Sequence, residues 1–302
     1  MTIGNIPKDI RWKPSCHAHI LLGYLPTTKL EHITNKASRR WTLVNLFHTC
    51  MSRIVEPLKT AGTDGLPMAS GDGVVRWTHP ILAVYVGDYP EQLLVTGVKN
   101  CECPSCLILR ERLRDDQNFD YHGLDAVIAA LDSFEVSDPC DYASTCRDAS
   151  VKPIHHTFWQ DLPYLHIFRC MTPDILHQLY RGVLKHLLKW VKSVFGVIEI
   201  DAHCRWLPPN HNIRLFIKGI SSLLWVSSQE HNQICRILLG LIVDLQLPNG
   251  QSPARLIRAV HGLLDFLYLA QYPLHSTETL ELLKDALALW DENRQIFVDL
   301  NV

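Results

Sequence analysis

The chain has 302 residues, 47% of them hydrophobic, so it is long enough to bury one large core or two ordinary ones. Twenty-nine basic against thirty-one acidic residues leave a formal charge of −2, which gives no bulk electrostatic reason for a nucleic acid, membrane or polyanionic partner. Ten cysteines without a basic-then-apolar leader point to thiols or metal ligands in a reducing compartment, and no window of about eighteen residues is apolar throughout, so no membrane span is expected.

Met1 opens directly into TIGNIP, a strand-and-turn pattern, and the chain stops within the apolar IFVDLNV; both ends read as cut from something larger. HAHILLGYL at 17–25, bounded by Pro14 and Pro26, predicts a buried strand. Residues 38–62 place Leu43, Leu46, Phe47, Cys50, Met51 and Ile54 at helical spacing, from a Ser38 cap to Gly62. The Lys36, Arg39, Arg40 and Trp41 cluster at its start is either a phosphate contact or a solvated edge. HPILAVYV at 79–86 is nearly all apolar and predicts a central strand covered on both faces. Strand, helix and buried strand in that order make an α/β layer.

That strand runs into Gly87 and Asp88. An acid at the C-terminal edge of a central strand projects into the crevice where α/β sheets place metal-binding groups, and its carboxylate suits Mg²⁺; alternatively Asp88 merely starts the turn GDYP, with Glu91 as a helix-start residue. CECPSC at 101–106 puts two thiols of a C-P-x-C turn at one spot, half of a Zn²⁺ site. The other half is open among Cys140 with Cys146, His155 with His156, His166 with Cys170, or His177, and the unligated reading of Cys101, Cys103 and Cys106 stands beside it.

From about residue 110 the pattern changes: RERLRDDQNFDYHG is a charged helix or loop, and 132–165 an irregular insert rich in Asp, Ser, Pro and Cys. Helices follow at 173–195, 212–226, 229–246, 253–271 and 277–297, the first with Thr172 as cap and Pro173 at its first position. Asp174 and His177, three apart, share a face and can hydrogen-bond or share a metal; the plainer alternative is a dipole complement beside an interfacial imidazole.

TIGNIPKDIR, HAHILLGYLPTTKL, NLFHTCM, GDGVVRWTHPILAVYVGDYPEQLLVTG, CECPSC, TPDILHQLYRGVLKHLLKW and LLDFLYLAQYPLHSTETL, in this order along almost the whole chain, resemble the Plavaka-type transposases of fungal genomes, in the CACTA-like group of cut-and-paste elements. The resemblance implies an α/β plus α protein: a partial RNase H-like mixed-sheet core over 1–110, an irregular zinc-associated insert over 111–170 and a helical insertion domain over 171–302. It implies a DDE-type site in which two Asp and one Glu hold Mg²⁺ or Mn²⁺ for phosphodiester cleavage and strand transfer. Asp88 occupies the second Asp's place. Cys103 and Cys106 match the zinc-binding element, and Asp174 and His177 match the D-x-x-H block, with His177 a further metal ligand. Asp174, Glu91, Arg39 and Arg40 are candidates for supporting the site or DNA. The other two acids are expected before TIGNIP and after IFVDL, so the chain is expected to be inactive alone. The alternative is a zinc-containing module that binds DNA or protein without catalysis. DNA as partner, self-association with another copy and a nuclear location are further expectations of the resemblance.

Overall fold

The computed structural model describes residues 1–112, 117–223, 226–247 and 250–302, which form two compact units, Met1–Pro173 and Asp174–Val302. The protein is mixed α/β and predominantly helical, with a single small sheet among the described residues.

The first unit is built on α1 (Lys36–Asp64). Its N-cap is Asn35, whose side chain accepts from the Ala37 and Ser38 amides, so the start lies three residues before the expected Ser38. The helix runs past Gly62, where a side chain would collide with the Pro163 ring, and ends at Gly65 with φ +74°. Strands β1 (Leu66–Ala69) and β2 (Val75–Thr78) form an antiparallel hairpin with Leu66 opposite Thr78. Asp72 organises its turn, accepting from the Val74 amide at 3.0 Å and pairing with Arg76. Helices α2 (Tyr89–Thr96), α3 (Leu124–Asp132) and α4 (Pro139–Asp148) complete the unit. Its core joins Val55 of α1, Leu93 and Val95 of α2, Val127 and Leu131 of α3, and Phe158, Trp159, Ile167 and Phe168.

Three expectations are corrected here. Residues 17–25 form no strand, and Leu21 and Tyr24 are exposed. Residues 79–86 are extended but gain a neighbour on one side only: the Tyr85 amide bonds Cys170 O, the Thr172 amide bonds Tyr85 O, and Ile81, Val84 and Val86 remain exposed. A strand needs a partner along each edge to become central, and the sheet among the described residues is a two-stranded hairpin, not the expected mixed sheet. The expected irregular insert contains α4, whose Asp138 cap accepts from Cys140 N at 2.7 Å. Residues 113–116 of the charged stretch lie outside the described residues.

In the second unit, a wide π-type helix, Ile175–Leu184, runs into α5 (Lys185–Phe195). Helices α6 (Val197–Trp206), α7 (Ser228–Ile242), α8 (Ala254–Leu269), α9 (Thr277–Asn293) and α10 (Gln295–Asp299) follow. Leu184, Leu187, Ile200, Leu238, Leu241, Leu256, Val260 and Leu267 are fully buried in its core. The helix expected over 212–226 is absent from 212–223, and residues 224–225 lie outside the described residues. Asp201 explains the difference: its Oδ1 takes the Ile220 and Ser221 amides at 2.8 and 3.0 Å, donors that a helix would need for itself.

Candidate functional site

Asp88 is the N-cap of α2. Its φ, ψ of −73°, 167° turn the chain into the helix, and Oδ1 accepts from the Glu91 amide at 3.0 Å. Pro90 follows in the first turn, where its missing N–H costs nothing. Oδ2 has no hydrogen-bond partner among the described residues. The Glu91 carboxylate is occupied, accepting from the Tyr85 hydroxyl at 2.8 Å, and burial, followed by this acid, pushes the Tyr85 phenol above its ordinary range. Buried Gln92 fastens the entry to the helix by donating to Gly87 O at 2.9 Å and Thr172 O at 2.7 Å.

The other end of α2 is held as firmly. Three of its last carbonyls are taken by side chains from distant segments: Leu93 O by Lys152 Nζ at 3.0 Å, Leu94 O by His48 Nε2 at 3.0 Å, and Val95 O by Trp159 Nε1 at 2.8 Å. Gly97 ends the helix in the left-handed conformation, φ +76°. Carbonyls at a helix C-terminus lack intrahelical partners, and these are supplied by the core.

The cysteine loop begins beside the Asp88 end, because the Tyr89 hydroxyl donates to Glu102 O at 2.9 Å. Cys103 Sγ receives the amides of Ser105 and Cys106, both at 3.4 Å. Burial pushes the Cys106 thiol up, and the neighbouring Cys103 adds to it. The loop is zipped to residues 120–122: Leu107 N bonds Asp120 O at 2.9 Å, and His122 N bonds Ser105 O at 3.2 Å. His122, 2% exposed, lies with Nε2 2.9 Å from Cys103 O. A carbonyl can only accept, so the imidazole proton is on Nε2; Nδ1 is buried without a partner.

Two thiols with this support fit half of a tetrahedral shell for a soft cation. Within the first unit, most residues considered for the other half have contacts of their own, although the buried His166 Nδ1 has no hydrogen-bond partner. Cys146 Sγ lies 3.7 Å from Ala130 O, and Cys140 is exposed. His156 contacts Asp161, and the His155 ring packs 4.4 Å from Phe134. Cys170 Sγ lies 3.7 Å from Leu82 O, while the His166 ring meets Phe168 at 6.0 Å. Among the described residues, no group of three or more His, Cys, Asp or Glu side chains is arranged to hold a metal ion.

In the second unit Asp174, and not Thr172, caps the helix. Its Oδ1 takes the His177 amide at 3.0 Å and its Oδ2 faces His177 Nδ1 at 2.9 Å, so the proton sits on Nδ1 and the Nε2 lone pair is left open. The Asp174 side chain is 8% exposed and that of His177 40%. Arg39 and Arg40 are partly spent on their own helix start, through Ile33 O at 3.0 Å and Lys36 O at 3.3 Å. Sequence reasoning missed His48, Tyr89, His122 and Lys152: each acts through a partner distant in sequence or in the opposite wall of a loop, and no local motif marks them.

The Asp88, Cys103, Cys106, Asp174 and His177 blocks all fall within one stretch that matches a family model. No curated protein and no solved structure is significantly similar to the chain. The model of the Plavaka transposase family matches residues 1–191, and the chain belongs to that family.

Proposed function

We propose that the first unit of this transposase-derived protein carries the second acid of a DDE-type DNA-cleaving site, Asp88, and that the 302-residue chain does not cleave DNA by itself. The observation that carries this reading is the divided duty of one carboxylate: the Glu91 amide fixes Oδ1, and Oδ2 is left over. A cap needs one oxygen. The second is a hard donor held at a fixed point, as Mg²⁺ or Mn²⁺ requires. Bound there, such an ion would activate an attacking oxygen and stabilise the departing one on DNA. The chain's own residues do the positioning: Tyr85 restrains Glu91, and Gln92 ties Gly87 to Thr172, leaving Asp88 as the acid that faces outward.

One carboxylate does not provide the two-metal geometry, which is why the isolated chain is expected to be silent. Action on DNA would take place in the nucleus, and association with a copy carrying further acids would supply what a single chain lacks. The test is nicking of supercoiled DNA with Mg²⁺ or Mn²⁺, beside Mn²⁺ binding followed by electron paramagnetic resonance. No nicking is expected, with Mn²⁺ binding weakened in Asp88→Asn. Nicking by the pure chain that disappears in Asp88→Asn would overturn the inactivity, and Mn²⁺ binding indifferent to that substitution would overturn the role of Asp88.

The cysteine loop favours a second reading, a zinc-containing module that binds DNA or a protein partner. Cys103 and Cys106 of the first unit would hold the ion; in the second unit, taken by itself, His177 offers a nitrogen donor with Nε2 open. Zinc in the purified chain that is lost on Cys103→Ser, with DNA binding that weakens as salt rises, would support it. A flat DNA titration at low salt would remove DNA from this reading.

A further inference from the structure

The geometry points to His122 as the positioning residue of the Cys103 and Cys106 thiol pair: its Nε2–H holds the Cys103 carbonyl and thereby fixes the turn that carries both sulfurs. The inference rests on the zinc-binding reading of that pair and names the residue that makes it work.

Three observations support it. First, His122 is almost wholly buried although Nδ1 has no partner there. An unsatisfied buried polar atom destabilises the fold, and an apolar ring would fill the space against Phe168, whose ring lies 4.9 Å away, without that cost. What histidine supplies here and an apolar ring does not is the Nε2–H bond. Second, that bond falls on the peptide between Cys103 and Pro104. Proline fixes its own φ and has no N–H, so holding the preceding carbonyl sets the plane from which the turn to Cys106 departs. The amides of Ser105 and Cys106 then both meet Cys103 Sγ. Third, the preceding carbonyl, Glu102 O, is held by the Tyr89 hydroxyl. Two consecutive carbonyls are therefore pinned by side chains from separate segments, and the sulfurs hang on a turn with little freedom left. A ligand pair ordered before the ion arrives binds it more tightly.

The experiment titrates the full 302-residue chain with Co²⁺, a spectroscopic stand-in for Zn²⁺, and reads the thiolate-to-cobalt charge-transfer band. His122→Gln places an amide N–H where Nε2 was, and should keep the wild-type midpoint. His122→Asn is polar but too short to reach Cys103 O, and should weaken Co²⁺ binding about tenfold or more. A His122→Asn titration that coincides with wild type overturns the inference. A wild-type chain with no charge-transfer band, or one with a band that survives Cys103→Ser with Cys106→Ser, overturns the zinc reading beneath it, a distinguishable result. Should His122→Asn fail to fold, the unmutated chain decides: zinc should slow solvent exchange of the His122 Nε2 proton in imidazole-selective nitrogen NMR, and an unchanged rate counts as refutation.

Discussion

Lowering the pH should loosen the first unit through His48. This side chain is buried in α1 with both ring nitrogens in use, Nε2 facing Leu94 O at 3.0 Å and Nδ1 accepting from the Phe158 amide at 3.4 Å. Only the neutral ring can accept at Nδ1. Burial first, then the charges of Lys152 and His156, outweigh the Leu94 carbonyl and lower the pKa from 6.5 to about 4. Between those values the unfolded chain binds a proton that the folded chain refuses. The stabilisation is therefore complete above the unfolded value and is lost as pH falls toward the folded one. At 1.36 kcal/mol per unit, the loss reaches about 2 kcal/mol by pH 5 and about 3 kcal/mol by pH 4. The assay is urea unfolding of wild type and His48→Gln at pH values from 7 down to 5. Glutamine keeps an N–H for Leu94 O and does not titrate, so the stability gap between the two proteins should shrink by about 2 kcal/mol over that range. Parallel pH profiles would refute the reasoning.

Further consequences can be measured on single variants. Asp88→Ala should cost about 1 kcal/mol in urea unfolding by removing the α2 cap, whereas Asp88→Asn keeps a capping oxygen and should cost only a few tenths; equal losses would argue against capping. Asp174→Asn keeps an acceptor for the His177 amide but turns a donor toward Nδ1, so nitrogen NMR should find the ring proton moved to Nε2, and an unchanged tautomer would contradict the assignment. At Gly262 a side chain would stand 2.8 Å from both Ala286 O and Trp290 N, so Gly262→Ala should force α8 from α9 and cost about 1–3 kcal/mol; a wild-type melting temperature would show that the helices yield freely.

Local signals were the legible part of the sequence. The capping box of Ser227 with Glu230 starts α7 one residue from its expected position, and the apolar stripe of α1 forms a helix although its cap is Asn35 in place of Ser38. What failed were inferences about the surroundings. An apolar run such as 79–86 reads as a buried strand whatever lies beside it, since periodicity reports the segment and not its neighbours. The stretch 212–223 has helical composition, but the Asp201 carboxylate, from α6, captures its amides. Likewise His122 reaches Cys103 only because residues 105–107 and 120–122 pair, a register that no composition announces.

The support around α2 explains why Asp88 can be tested at all. A helix of eight residues is too short to persist on its own, so its position must be imposed from outside. Lys152, His48 and Trp159 impose it at one end, and Gln92 with the Asp88 cap at the other. The clamps are unequal in kind. The C-terminal three are side-chain bonds to backbone carbonyls, that of Trp159 buried and the others part-buried, with Lys152 desolvated enough for its pKa to be lowered, whereas the cap is one part-buried carboxylate oxygen. Removing the charge at position 88 therefore leaves α2 in place, because asparagine keeps a capping oxygen and three further restraints lie at the far end. A metal-binding defect in Asp88→Asn with an intact unfolding curve can then be assigned to the carboxylate itself. The reverse experiment, Trp159→Phe, frees Val95 O while Asp88 stays chemically intact, and should weaken Mn²⁺ binding only if holding the helix holds the acid.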